Sequence, residues 1–487
     1  MTTTTVRSFR MLIGGKWVDA ESGKTFERRS PANRDEVVAK YPLAQPSDVA
    51  KAVADARRSF DSGVWRNMTG QQRGKVLLAI AGEIRKRAPE LGTLISRETG
   101  KALSDAQGEA MGGAEEFEYY SGWATKIYGE SFNYMPDALG FTLREPVGVV
   151  GMIIPWNAPW TVCCWKVAPA LAAGCSIVVK PSEYATGTCL TLAECLEAAG
   201  VPAGVVNFVT GPGDPTGQAL IDSNVEMLTL TGSTATGRRI LHASEPNIKK
   251  VHLELGGKSA NIVFPDARWK EAIEGTAWGV FRLAGCMCAA GSRVLVHRDI
   301  HDRFLKDLTD YANSIVVGDP MDKKTQIGAL YTEPHLEKIL GYVQSGKQEG
   351  AVVACGGERL NGDKLGKGNF MRPTVLAKVN NKMRIEQEEI FGPVISVIPF
   401  KDEAEALAIA NDTPYGLSGS IWTQNLDTAI RVARGLRTGQ VVVNRQTGSY
   451  VWQMPFGGYK QSGLGRERGF AGIEMYTEIK SVHIKLG

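Results

Sequence analysis

From Leu143 onward the chain alternates apolar strand-like runs with helical segments, and this rhythm restricts the fold more than any other feature. Residues 147–154 form a strand-like run that ends in prolines. Residues 169–173 sit in a small-residue helix, and Ser176–Pro181 reads as a buried strand ending at proline, followed by a helix through Cys195 to Ala199. Residues 205–210 and 227–231 follow as further strands. Such alternation predicts an α/β fold: a parallel sheet with helices on both faces, its ligands at the carboxyl ends of the strands. After Gly257 a second α/β run begins with a strand at 259–264 and a helix at 268–283, and it continues through 293–296 to about Gly439. Residues 46–130 carry helical periodicity instead, with charges on the outer faces. A chain of 487 residues exceeds one core and predicts two or three domains.

Composition narrows the function classes. Hydrophobic residues at 43% and charged residues at 22% are ordinary for a globular chain. The net charge of +4 is spread without a basic block, which argues against a nucleic-acid partner. No signal peptide is visible, the most apolar segment is too short to span a bilayer, and a cytoplasmic location with no membrane partner is expected. Eight cysteines in so long a chain predict buried thiols, not a disulfide framework. Cys286-Met287-Cys288 lacks zinc-site spacing, the six histidines show no ligand spacing, and no metal is expected.

Three strings place a thiol, a carboxylate and an amide where one reaction would need all three. They are Pro155-Trp156-Asn157-Ala158-Pro159-Trp160, Leu253-Glu254-Leu255-Gly256-Gly257-Lys258, and Gly285-Cys286-Met287-Cys288-Ala289-Ala290-Gly291-Ser292-Arg293. A thiolate can attack a carbonyl carbon, an amide can steady the oxyanion, and a carboxylate can activate water. A free thiol has a pKa of about 8.5, so Cys288 needs help to ionise. Taken alone, a cysteine at the start of a strand would be inert. A glutamate in an apolar strand is either paired or a tuned base. Two glycine-rich turns follow strands: Gly211-Pro212-Gly213-Asp214-Pro215-Thr216-Gly217 nearly matches the dinucleotide fingerprint, and Gly232-Ser233-Thr234-Ala235-Thr236-Gly237 opens a helix that could meet a pyrophosphate. Lys180 and Glu183 flank a strand end, where a solvated ion pair competes with ligand binding.

Joined to Glu389-Ile390-Phe391-Gly392-Pro393 and Pro455-Phe456-Gly457-Gly458-Tyr459-Lys460, these strings resemble the NAD(P)-dependent aldehyde dehydrogenases over nearly the whole chain. The resemblance implies a Rossmann-like cofactor domain (1–128 and 147–257), a second α/β catalytic domain (258–458) and a small β oligomerisation arm (129–146 and 470–487). It implies a homodimer or homotetramer acting on a small-molecule aldehyde. Cys288, five residues before Arg293, takes the nucleophile's place instead of Cys286. Glu254 becomes the base for the deacylating water, and Asn157 donates to the oxyanion with the Cys288 backbone N–H.

For the cofactor the resemblance implies Ile153, Ile154, Pro155 and Trp156; Lys180 and Glu183 on the adenosine ribose; Gly213 nearer the adenine; Gly232, Ser233 and Thr236 by the phosphates; and Gly217, Leu255 and Gly256. Glu389 and Phe391 would hold the nicotinamide ribose and ring, with His335 either a ribose contact or an exposed helical histidine. A carboxylate at Glu183 would repel a 2′-phosphate, so NAD is expected over NADP. The implied substrate tunnel comprises Ala158, Val162, Trp165, Met287, Ala289 and Phe456, with Tyr450 or Trp452 near the mouth.

That wall suits a bulky aromatic or aliphatic aldehyde. Trp165 and Trp452 keep a betaine-type substrate open, and Arg445 a semialdehyde. Coenzyme-A-acylating relatives usually lack the carboxylate of Glu254, and an idle crystallin-like role fits poorly with an intact trio. Cys286, Leu230 and Ala158 depart from the common family pattern. Cys286 could trap an oxidised Cys288 as a strained disulfide.

Overall fold

The strands that carry the glycine-rich turns lie side by side. In the computed structural model, which describes residues 6–362, 365–449 and 451–487, strands Val149–Ile154, Ser176–Pro181, Val206–Phe208, Met227–Thr231 and Lys250–Glu254 form one parallel block. Val149–Ile154 is central, and the chain runs outward on one side through Ser176–Pro181 and on the other through Met227–Thr231. The order therefore reverses between Val149–Ile154 and Met227–Thr231, and a crevice opens at their carboxyl ends. Antiparallel strands Met11–Ile13 and Lys16–Val18 extend one edge. At the other edge Gly463–Leu464 pairs with Leu253 and Glu254, so a late segment of the chain returns to the first sheet beside Glu254. The helical region at 46–130 resolves into helices Pro46–Ser62, Gly70–Thr99 and Leu103–Trp123.

The second sheet has seven strands, all parallel except Val352–Cys355 at one edge. Its central strands Ala260–Val263, Arg293–His297 and Ser418–Trp422 are buried except for His297 at one end, so they read as continuous apolar runs. A third, antiparallel sheet joins Ser131–Met135, Ala138–Pro146 and Thr477–Lys485, pairing the two extended segments expected of the arm. It exposes Phe132, Tyr134, Met135, Leu139, Leu143, Ile479 and Ile484. Six of the eight cysteines are buried, and all eight are free thiols. Among the described residues no helix is long and apolar enough to cross a membrane, and no cluster of side chains could hold a metal ion.

Candidate active site

Cys288 sits in a turn between helix Trp269–Phe281 and strand Arg293–His297, not in a strand. Arg293 anchors the far end of that turn. Fully buried, it donates to the carbonyls of Lys258 (3.1 Å), Ile409 (3.0 Å) and Ala410 (2.5 Å) and to Asn381 Oδ1 (2.8 Å). Gly257 lies against the turn: a Cβ there would stand 2.2 Å from the Cys288 carbonyl oxygen, and one at Gly256 would stand 2.6 Å from Glu389 Oε2. The two glycines therefore permit close approach of neighbouring groups; they do not leave an open passage. The Gly257 amide donates to Glu389 Oε1 at 2.9 Å.

Cys288, Asn157 and Glu254 line one cavity of about 430 Å³. The chain brings them from 131 positions apart, which only the tertiary fold can do. Asn157 leads into helix Pro159–Ala173, and its Nδ2 donates to the Cys286 carbonyl at 2.9 Å. Its own carbonyl accepts from Lys101 Nζ at 2.9 Å. Lys101 pairs in turn with Glu109, whose second oxygen accepts from the Trp160 and Thr161 amides at the helix N-terminus. Periodicity gave no hint of this brace, because Lys101 and Glu109 occupy the N-terminal cap region and body of a different helix.

Burial pushes the Cys288 thiol up to about 12, helped by Glu389 and Glu254. Such a thiol is protonated at neutral pH and ionises only when its proton has a nearby acceptor. Glu254 is 2% exposed, and among the described residues neither of its oxygens has a hydrogen-bond partner. Burial first, then Glu467, raises its carboxyl well above the usual range. Glu467 is held by fully buried Lys166 at 2.5 Å, and Lys166 also donates to Thr229 Oγ1 at 2.8 Å. His252, 3.6 Å from Glu254, is kept neutral by burial and by Lys166. Lys166 was legible as a lone cation in the apolar run Thr161-Val162-Cys163-Cys164-Trp165-Lys166-Val167-Ala168, but its partner, 301 positions away, was not.

Ala158, Val162, Trp165, Met287 and Phe456 line the cavity with Trp452, and Arg445 is exposed on its rim. Trp165 and Phe456 meet edge-on at 5.7 Å. Ala289 is fully buried in the cluster with Trp165, Leu417 and Phe456, behind the lining. Tyr450 lies outside the described residues. Cys286 takes another direction. Its thiol donates to the Phe391 carbonyl at 3.6 Å and lies 4.0 Å from His335 Nε2, whereas Cys288 faces the cavity. The two thiols therefore face different surroundings, and both are free.

On the sheet side, Ile153 and Ile154 end the central strand and lead through Pro155 to Trp156. Lys180 is 3% exposed, with Glu183 at 3.8 Å, so the reading of a solvated surface pair fails for the lysine. Burial lowers the lysine's pKa. A Cβ at Gly213 would meet nothing within 4 Å, and one at Gly217 would touch the Lys180 stem at 3.8 Å. Ser233 caps helix Thr234–Ser244, accepting from the Thr236 amide at 3.2 Å, and the Gly232 amide donates to the Glu254 carbonyl at 2.9 Å. Gly237 lets that helix close on Leu255, whose methyl carbons would stand 2.8 Å from a Cβ. Glu389 is pushed up to about 7 by burial. His335 is 8% exposed, not an exposed helical histidine. Its Nε2 lies 2.8 Å from the Phe391 carbonyl, and its ring packs with Trp156, Tyr331 and Phe391.

The model of the Aldehyde dehydrogenase family matches residues 17–482. A betaine aldehyde dehydrogenase of Bacillus subtilis (strain 168) is 43% identical over 475 residues, covering 97% of this chain and 96% of its own. The crystal structure of an NAD-dependent aldehyde dehydrogenase from Sinorhizobium meliloti superposes with a TM-score of 0.96 at 44% identity, covering 99% of this chain and 95% of that one. An NAD+ complex of aldehyde dehydrogenase from Bacillus cereus gives the same TM-score at 42% identity, with 99% and 97% covered. The chain belongs to the aldehyde dehydrogenase family.

Proposed function

We propose that this chain oxidises an aldehyde to its carboxylic acid in an NAD-dependent reaction that passes through a thiohemiacetal and a thioester on Cys288. The observation that carries the reading is the convergence of Cys288, Asn157 and Glu254 on one cavity at the carboxyl ends of the first sheet's strands. The residues beside it fit the dinucleotide named in the solved relatives. Gly213 leaves room for a flat ring, Ser233 heads a helix whose N-terminus favours a phosphate, and Lys180 and Glu183 stand at a strand end for the ribose. Glu183 disfavours a 2′-phosphate, which supports NAD over NADP. When bound there, NAD supplies the acceptor for the aldehyde's hydride.

The chain's own residues do the rest. Cys288 loses its proton to a cavity carboxylate as its sulfur bonds to the carbonyl carbon. The second Asn157 Nδ2 proton and the Cys288 amide hold the oxygen that becomes negative. Loss of hydride from that carbon leaves a thioester. Glu254 then takes a proton from water, the water oxygen bonds to the acyl carbon, and the C–S bond breaks to return the thiol and release the acid. Water is the acceptor because Glu254 is present to activate it.

Trp165, Phe456, Val162 and Met287 support a bulky aromatic or aliphatic aldehyde. The name of the Bacillus subtilis relative makes betaine aldehyde a candidate, and exposed Arg445 on the rim favours an acidic semialdehyde as a second reading. The eight-stranded sheet, the seven-stranded sheet and the sheet of the arm support a domain division at 1–128 with 147–257, 258–458, and the arm at 129–146 with 470–487, with Gly463–Leu464 joining the first sheet from outside those bounds. The apolar face and unpaired edge of the arm suit a homodimer or homotetramer. Aldehyde-dependent NADH formation, measured with and without coenzyme A across benzaldehyde-type, long-chain, betaine and succinate semialdehydes, tests the whole reading. A requirement for coenzyme A would overturn hydrolysis, and a clear preference for the succinate compound would overturn the apolar wall in favour of Arg445.

A further inference from the structure

The aldehyde cavity already contains a cation of its own. The guanidinium carbon of Arg468, a residue only 2% exposed, stands 4.2 Å from the centre of the Trp165 ring and 4.4 Å from that of Trp452. All three residues line the cavity. A cation is drawn to an indole face within about 6 Å of its centroid, so a single guanidinium uses both rings at once. The arginine is held where it is. Its Nη2 lies 3.4 Å from Glu116 Oε2, and the backbone around it is pinned by Gly469 donating to the Trp452 carbonyl (3.1 Å) and Glu467 to that of Phe456 (2.7 Å).

The carboxylates around the cavity do not offset this for an incoming cation. Glu467 is committed to Lys166, Glu109 to Lys101, and Asp105 to Arg282 at 2.7 Å. Burial raises the Glu254 carboxyl well above the usual range, which weakens its pull on a cation, and Glu115 is exposed on the rim. A trimethylammonium group would need the two indole faces that Arg468 covers, and it would enter beside a like charge.

We infer that Arg468 is a specificity-determining residue that bars quaternary-ammonium aldehydes from this cavity and reserves it for uncharged apolar tails. This rests on the aldehyde-oxidation reading above and sets aside the betaine substrate that identity to a relative would carry over. Betaine aldehyde and 3,3-dimethylbutanal provide the test, since they match in shape and differ only in the charged nitrogen. In the parent, kcat/KM for the neutral compound is expected to exceed that for the cation by about 100-fold or more. Arg468→Met should move that ratio toward the cation by about tenfold or more. Because Arg468→Met leaves Glu116 buried alone, the double variant Arg468→Met/Glu116→Gln is read in parallel, and the ratio is taken from whichever variant folds. Parent ratios within about threefold of unity, or a ratio unmoved in a folded variant, would overturn the inference. So would turnover of neither compound with benzaldehyde still oxidised, because the cavity would then exclude by shape. Oxidation of no aldehyde at all would instead bring down the proposed function.

Discussion

The cofactor side and the aldehyde side of this site meet at Cys288 and are built by opposite means. The cofactor side is mostly backbone: strand ends, a helix N-terminus, and glycines that let groups approach closely. Its residues fall in short contiguous strings. The aldehyde side is mostly side chains, and its buried charges come in pairs drawn from distant segments: Lys166 with Glu467, Lys101 with Glu109, Arg468 with Glu116. A buried pair broken on one side leaves an uncompensated charge, which costs several kcal/mol. Damage on the aldehyde side should therefore abolish chemistry or folding, whereas damage on the cofactor side should weaken binding and leave the chemistry standing.

The sharpest way to break that comparison is Cys288→Ala. Steady-state aldehyde oxidation should fall by about 10³-fold or more while NAD binding, followed by protein fluorescence, persists. Near-normal turnover would remove the thiol from the mechanism. Glu254→Gln comes next, with a steady rate reduced by about 100-fold. A burst of NADH should survive it, because hydride leaves before water is needed. In the parent the deacylation rate should rise with pH, since Glu254 works only once deprotonated and its carboxyl is raised by burial and by Glu467. The glutamine variant should lose that rise. Burst and steady rate falling together would place Glu254 earlier in the sequence of steps.

The same contrast explains what could be read from residues alone. The parallel sheets and the extended segments announce themselves through local pattern, because strands and tight turns impose composition on neighbours. The arm and the roles of Cys288, Asn157 and Glu254, by contrast, followed only from the family resemblance of the strings around them. The braces leave neither trace. Nothing near Lys101 signals that it holds the Asn157 carbonyl, and nothing near Arg468 signals two indoles 303 and 16 positions back in the chain. Gly256 and Gly257 are visible in sequence only as paired glycines, because what they accommodate, Glu389 and the Cys288 carbonyl, arrives from elsewhere. His335 and Lys180 carry charge-bearing side chains, which sequence alone favours as exposed, and tertiary packing buries both.

On the cofactor side, Lys180→Met should raise KM for NAD by about tenfold and leave kcat within about threefold, the signature of lost uniform binding. Methionine preserves most of the buried stem, so the fold should hold. A fall in kcat as large as the rise in KM would mean that the two sides are coupled through the first sheet and are not separately built.

His335 provides the smallest and most discriminating case, because it sits at the seam, against both Phe391 and Cys286. Burial lowers its pKa from 6.5 to about 4. A folded-state value below the unfolded one means that stability is fully present above pH 6.5. It is lost as pH falls, since the unfolded chain takes up the proton first and the folded one only near pH 4. His335→Gln has no such proton to take up. The gap in Tm between parent and variant, in the parent's favour at pH 7.5, should therefore shrink by about 1–3 °C by pH 5. A gap that stays constant would show that the imidazole titrates alike in both states, and one that widens would show the ring gaining a charge partner on folding. Either result would move His335 out of the buried aromatic cluster and back toward an open contact, and would blur the line between a cofactor side made of backbone and an aldehyde side made of paired charges.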